Sequence, residues 1–243
     1  MIKLEKINKS FNKQKKILND VSFYINKGDS VAIIGKSGTG KSVLLKHING
    51  LLRPDSGNVW VDNVLLNELS FNKLQKIRKK MAMVFQFGAL FDSMSVSENM
   101  KFAIESLTDF SKDKTRDSVY NSLNLVNLDG IEDLKPSELS GGMKKRVGIA
   151  RAIAIEPEYV LYDEPTTGLD PITSDKINSL IKKVSEKKKV TSIVVTHNMK
   201  TLRCVANKVI MLHEGDIIFD GETDELFSSN DSFIRYFVTG RNN

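Results

Sequence analysis

Cysteine is nearly absent. The 243-residue chain has one, Cys204, so no disulfide can form within it and a reducing compartment is allowed. Cys204 lies in an apolar-periodic stretch and reads as a small core residue. Long hydrophobic runs are missing as well. No segment approaches the ~18 apolar residues that span a bilayer, and Met1 to Ser10 carries no run resembling a secretory signal. The chain is expected to be soluble and to act at a membrane, if it does, through a partner. There is no internal repeat and no low-complexity linker. Neither sign of charge dominates: 36 basic residues against 30 acidic leave +6, which fits a nucleotide ligand, an anionic membrane surface or plain lysine-rich usage. The clusters Arg78-Lys79-Lys80 and Lys187-Lys188-Lys189 lack the interleaved aromatics of a nucleic-acid platform, so no nucleic-acid partner is expected. With 40% hydrophobic and 27% charged residues, disorder is excluded except at the ends.

What is present is an alternation of strand and helix signals. Residues 1–27 alternate apolar and polar positions (Ile2, Leu4, Ile7, then Val21, Phe23, Ile25), as antiparallel strands with one buried face do. Asp29 to Ile34 reads as a central buried strand, and a helix follows from Lys41 to Gly50. Turn residues Pro54, Asp55, Ser56 and Gly57 introduce another strand. Residues 68–80 read as a basic helix, Met81–Phe85 as a strand, 95–135 as helical and Gly141–Ile155 as a helix with Val147, Ala150, Ile153 and Ala154 on one side. Strands at Tyr159–Tyr162 and Val190–Val195, helices at Pro171–Lys187 and Met199–Val205, and a hairpin turning at Glu214-Gly215 complete the pattern. Such alternation predicts an α/β fold with a largely parallel sheet, interrupted by a helical stretch at 87–157.

Gly35-Lys36-Ser37-Gly38-Thr39-Gly40-Lys41-Ser42 fits G-x-x-x-x-G-K-[ST], between a buried strand and a helix. The glycines let successive N–H groups turn inward on phosphate oxygens, and the helix dipole adds to the attraction. Lys41 is expected to reach the β- and γ-phosphates and Ser42 to offer its hydroxyl to Mg²⁺. A dinucleotide fingerprint is a poorer match, because Gly-Lys-Ser ends the loop. Tyr159-Val160-Leu161-Tyr162-Asp163-Glu164 supplies a buried strand ending in two carboxylates. Asp163 suits Mg²⁺, directly or through water, and Glu164 suits the polarisation of an attacking water. Leu139-Ser140-Gly141-Gly142 precedes a helix and forms a second anion-binding helix start, most useful if it caps a γ-phosphate held by another copy.

With these strings in this order, the chain resembles the nucleotide-binding subunits of ABC transporters over essentially its whole length. The resemblance implies a P-loop NTPase fold: a single ABC ATPase domain whose RecA-like core and N-terminal antiparallel β-subdomain occupy 1–86 and 158–222, an inserted helical subdomain at 87–157, and a C-terminal tail at 223–243. It implies ATP and Mg²⁺ as cofactors. Phe11 stands where an aromatic stacks on adenine, with Phe in place of the usual Tyr. Gln86 matches the glutamine that reaches Mg²⁺ and the water. Ser140 to Gly142 match the signature, Gly168-Leu169-Asp170 the loop that crosses the dimer, and His197 the switch histidine that contacts the γ-phosphate. The implied assembly is a homodimer with two composite sites, ATP held by Lys41 and Ser42 of one copy meeting Ser140 and Gly142 of the other. His47 and His213 match no motif and read as structural.

A narrower resemblance is to the Mla-type (MCE-linked) phospholipid transport ATPases. It rests on Met143 after the signature, on the run from Gln86 to Asn99, on Tyr162 to Thr173 and on Ser232 to Gly240. It implies phospholipid transport between membranes of the cell envelope, a peripheral location on the cytoplasmic face of the inner membrane, an integral-membrane permease, an MCE-domain protein and a small regulatory subunit. The stretch Phe87–Asn99 is apolar for a loop (Phe87, Ala89, Leu90, Phe91, Met94), which suits docking of a permease helix. Two alternatives stand beside this reading: the ATPase of a solute importer, for amino acids or metals, and a non-transport ABC ATPase. Against the latter, the chain lacks a long insertion between loop and signature and carries one motif set.

Overall fold

The computed structural model describes residues 1–12, 15–86 and 88–240; Phe87 of the apolar stretch lies outside them. The chain divides into two compact units, one formed by Met1–Leu69 with Ile193–Asn243, the other by Ser70–Ser192. In chain order the first unit begins with β1 (Ile2–Asn12), β2 (Lys15–Ile25), β3 (Ser30–Ile34), α1 (Lys41–Ile48), β4 (Ser56–Val61) and β5 (Val64–Leu65). The second unit holds α2 (Phe71–Arg78), β6 (Met81–Val84), α3 (Val96–Leu107), α4 (Lys112–Leu125), α5 (Gly141–Ala154), β7 (Tyr159–Asp163) and α6 (Pro171–Lys188). Strand β8 (Thr191–Thr196) leads back into the first unit, which ends with α7 (Met199–Val205), β9 (Lys208–His213), β10 (Asp216–Glu222), α8 (Thr223–Phe227) and α9 (Ser232–Thr239).

In the first unit, period-two alternation becomes a four-stranded antiparallel sheet in the order β2-β1-β4-β5. Its register sets Ile2 against Ile25 and Leu4 against Phe23 on one side, and Ile2 against Val61 and Leu4 against Val59 on the other. All of these side chains are buried. A second group of strands runs β10-β9-β3-β8. Here β3 pairs with β9 in parallel, Ile34 opposite Met211, and β9 turns back on β10 through the expected hairpin. Ala32, Ile34, Leu202, Val209, Met211, Leu226 and Ile234 form one core cluster, with Phe219, Phe227, Phe233 and Phe237 packed against it.

The segment read as a tail is therefore largely helical. Asp231 caps α9 by accepting from Ile234 N at 2.9 Å, and Ile234 sits in the core cluster. Burying such a side chain contributes about 1.5–3 kcal/mol, enough to hold an eight-residue helix that would be marginal alone. Cys204, expected in the core, is only half-buried.

In the second unit β6 and β7 pair in parallel, Met81 opposite Tyr159 and Val84 opposite Tyr162. Helix α5 packs on α3, α4, α6 and β6. Each of the longer helices starts on a side-chain cap. Ser95 and Glu98 form a reciprocal capping box on α3, Ser111 caps α4, Ser140 caps α5, and Asp170 with Pro171 starts α6. The helical pattern of 95–135 is accordingly cut at Thr108–Ser111, where a new cap begins.

Candidate nucleotide site

The sequence-predicted residues fall in two sets, and each unit carries one. Phe11, the loop Gly35–Ser42 and His197 belong to the first unit; Gln86, Ser140, Gly141, Gly142, Asp163, Glu164 and Asp170 belong to the second.

In the first unit, β3 delivers a dry strand: Val31 to Ile34 are fully buried, and the loop opens at its end. Gly35, Gly38 and Gly40 all have positive φ, at 152°, 80° and 99°. Gly35 is needed for space as well. A Cβ there would lie 2.5 Å from the backbone oxygen of Leu212 and 2.8 Å from Thr39 Oγ1. Around Gly38 a Cβ would meet nothing within 4 Å, so this side of the loop is open. Gly40 is the N-cap of α1 and provides no side-chain cap, and a helix start of this kind attracts an anion. Lys41 is buried, and its ammonium donates to Gly35 O at 2.9 Å and Lys36 O at 2.8 Å. Thr39 Oγ1 donates to the same Lys36 oxygen at 2.9 Å. One cation thus ties together a curved, glycine-bent backbone that is open at Gly38, and this fits a phosphate chain.

Two flanking features were not legible in the motif. The Lys36 amine lies 5.7 Å from the Phe233 ring of α9, and that ring packs on His213 with centroids 4.2 Å apart. His47, on α1, is buried with Nδ1 2.7 Å from Val43 O. Because that carbonyl only accepts, Nδ1 carries the proton, and Nε2 has no partner among the described residues. Burial pushes the imidazole below its ordinary range. Phe11, on β1, is exposed, with the Lys9 amine 5.7 Å from its ring. Lys9 pairs with Asp55 at 2.6 Å and, with a bond from Ser10 N, holds that carboxyl below its usual range. His197 is exposed beyond the end of β8, and Asn198 after it caps α7 through Lys200 N and Thr201 N.

In the second unit, β7 is buried through Tyr162, and Asp163 ends it half-buried. Loss of water around Tyr162 raises its hydroxyl pKa. Glu164 follows in the left-handed region, φ 49°, an unfavourable setting for a side-chain-bearing residue. The turn is held from inside: Thr167 N donates to Glu164 O at 3.3 Å and Thr167 Oγ1 to Glu164 Oε2 at 3.1 Å. Asp170 caps α6 by accepting from Thr173 N at 2.9 Å, and the Thr173 bonds hold its carboxyl below the usual range. Ser140 Oγ accepts from Met143 N at 3.2 Å, leaving Gly141 exposed at the start of α5. A Cβ on Gly142 would lie 2.8 Å from Thr173 Cγ2, so this glycine allows α5 to approach α6.

Gln86 is half-buried just beyond β6, and the residues after it are clamped by a side chain that no motif names. Arg151 donates to Ala89 O at 2.8 Å and Gly88 O at 2.9 Å, and burial lowers its pKa. Beyond the clamp, Phe91 meets Phe102 edge to face, 5.3 Å between centroids, both rings about half exposed. Asn99 is fully buried and donates to Phe91 O, Met94 O and Ser95 O while accepting from Phe91 N.

The described residues contain no group of three or more His, Cys, Asp or Glu that could cage a metal. Of the residues the sequence assigns to Mg²⁺, the first unit carries the Ser42 hydroxyl and the second the Gln86 amide and the Asp163 carboxylate, hard-oxygen donors of the type that ion takes. None of the described helices is long and apolar enough to cross a membrane.

Comparison with known proteins shows the family. The chain is 39% identical over 224 residues to the intermembrane phospholipid transport system ATP-binding protein MlaF of Haemophilus influenzae, covering 92% of this chain and 85% of that one. It is 41% identical over 212 residues to the methionine import ATP-binding protein MetN of Carboxydothermus hydrogenoformans, covering 87% of this chain and 63% of that one. The dimeric post-hydrolysis structure of the ATP-binding cassette MJ0796, bound to ADP and Pi, superposes with a TM-score of 0.83 at 33% identity, over 92% of this chain and 99% of that one. The family model described as ABC transporter matches residues 18–167, from β2 through the phosphate loop and the Ser140 helix start to the Glu164 turn, and the chain belongs to the ABC transporter family.

Proposed function

We propose that the chain is the ATP-hydrolysing subunit of an ABC transporter that moves phospholipid between membranes of the cell envelope. The observation that carries the cargo assignment is the match to MlaF, which runs through 92% of this chain and 85% of that protein. In this reading the backbone of Gly35–Ser42 and the Lys41 ammonium bind the β- and γ-phosphates. Ser42, Asp163 and Gln86 hold Mg²⁺, which when bound neutralises charge developing on the phosphates. Phe11 stacks on adenine. Glu164 orients and deprotonates the attacking water, and His197 contacts the γ-phosphate. Ser140 to Gly142 close over the nucleotide of a second copy, with Asp170 at the junction. ATP then favours the closed homodimer because that state alone makes both sets of phosphate contacts.

The partner for Phe87–Asn99 is an integral-membrane permease. The exposed Phe91–Phe102 pair, on a segment clamped to α5, supports a docking role. An MCE-domain protein and a small regulatory subunit complete the proposed assembly, and the chain works peripherally at the cytoplasmic face of the inner membrane.

A second reading has its own support. The match to MetN favours import of a small solute such as an amino acid, although it spans 63% of that protein. Affinity purification of the chain from its native membrane separates them. A permease with an MCE-domain protein supports the lipid reading, and a solute-binding protein supports the importer. In proteoliposomes of the purified complex, ATP should drive transfer of fluorescent phospholipid, and Glu164→Gln should cut turnover by about 100-fold or more while leaving ATP binding intact. Undiminished turnover in that variant would remove Glu164 from the role of base.

A further inference from the structure

Lys145 lies on α5, five residues beyond the Ser140 cap, in a run (Lys144-Lys145-Arg146) that by sequence alone resembles a solvated basic face. It is 7% exposed. Its ammonium donates to Pro165 O at 2.9 Å and Thr167 O at 2.5 Å, both main-chain oxygens of the turn that follows Glu164. A buried cation spent on main-chain carbonyls is costly to maintain, since water would solvate it better. The cost is offset where the cation fixes backbone that would otherwise relax. The backbone in question carries Glu164 at φ 49°, with Thr167 bonded to both the carbonyl and the carboxylate of Glu164. Burial lowers the Lys145 pKa, and the negative charge of Glu164 acts in the opposite sense, so the two groups sense one another.

We propose that Lys145 is a positioning residue for Glu164: by gripping Pro165 O and Thr167 O it holds the Glu164–Thr167 turn in the conformation that aims the carboxylate. The assignment rests on Glu164 being the base. Lys145 does not touch nucleotide or water in this account. It acts through the turn, and it ties the position of the base to the helix that begins at Ser140.

The test is single-turnover hydrolysis of radiolabelled ATP by the full-length chain and by Lys145→Met, Glu164→Gln and the double variant, with nucleotide affinity and thermal melting measured on each. Glu164→Gln alone tests the base; if it turns over normally, the reading of the site fails independently of Lys145. With that control satisfied, Lys145→Met should lower the hydrolysis rate by about 10- to 100-fold with ATP affinity unchanged. In the Glu164→Gln background it should cost little more, because the group it positions is already gone. Retention of the rate within about twofold, or an equal loss in both backgrounds, overturns the proposal. So does a loss of rate matched by a loss of ATP affinity. If Lys145→Met does not fold, Lys145→Gln, neutral and hydrogen-bonding, carries the same expectations.

Discussion

Replacing Gly35 with Ala tests whether the phosphate loop is built as the structure describes it. The new Cβ would lie 2.5 Å from Leu212 O and 2.8 Å from Thr39 Oγ1. Thr39 can rotate, but the Leu212 oxygen belongs to the backbone of β9, which is registered against β3 with Ile34 opposite Met211. Relief therefore requires a strand to move. Overpacking of this kind costs about 1–3 kcal/mol. Holding a non-glycine residue at positive φ adds about 1–2 kcal/mol. Together they come to roughly 2–5 kcal/mol, which in a chain of this size lowers the Tm by on the order of 10 °C. Gly38→Ala supplies the control. Its φ is also positive, but its Cβ would meet nothing within 4 Å, so only the conformational cost applies and the Tm falls by a few degrees. Differential scanning fluorimetry measures both, and titration with a fluorescent ATP analogue should show the greater loss of affinity in Gly35→Ala. If Gly35→Ala melts with the wild type, or at a higher temperature than Gly38→Ala, the steric argument is refuted.

Two further outcomes follow from buried polar groups. His47 has a native pKa depressed below 6.5 by burial, so the unfolded chain binds its proton more readily; stability is full above the unfolded value and declines as pH falls below it. A Tm–pH profile should slope downward on the acid side, and His47→Gln should flatten that slope. Asn99→Leu strips hydrogen bonds from Phe91 O, Met94 O, Ser95 O and Phe91 N at once, costing about 2–5 kcal/mol; limited proteolysis should then nick the 91–95 segment, whereas an unchanged digestion pattern would mean Asn99 does not hold it.

The readable parts of the chain were those whose physics is local. Glycine spacing announced the positive φ values of the phosphate loop, and Asp170-Pro171 announced the start of α6. The alternation of Ile2, Leu4 and Ile7 announced a strand because a half-buried strand needs nothing else to explain it. Helix α9 was missed although Asp231 offers a cap and Phe233, Ile234, Phe237 and Val238 share a face. Its stability comes from Val209, Met211 and Leu226, which no window of sequence places beside it. Lys145 and Arg151 were missed for the same reason. A lysine or arginine in a basic helix reads as solvated, and the carbonyls they bind lie 20 to 22 and 62 to 63 residues away in the chain.

Those two cations explain how one helix serves three motifs. At its N-terminus α5 presents Gly141 and Gly142 beneath the Ser140 cap; about one and a half turns on, Lys145 grips the turn after Glu164; near its end Arg151 grips the backbone after Gln86. Both clamps bind main chain, so the gripped segments keep their place whatever side chains they carry. Hydrogen bonds from charged donors contribute about 1.5–3 kcal/mol each, and four of them on one rigid rod make the second unit's motif segments depend on a common element. The Ser140 helix start, the turn after Glu164 and the backbone after Gln86, if each floated on its own loop, would need separate means of staying in register. Fastened to α5, they share one.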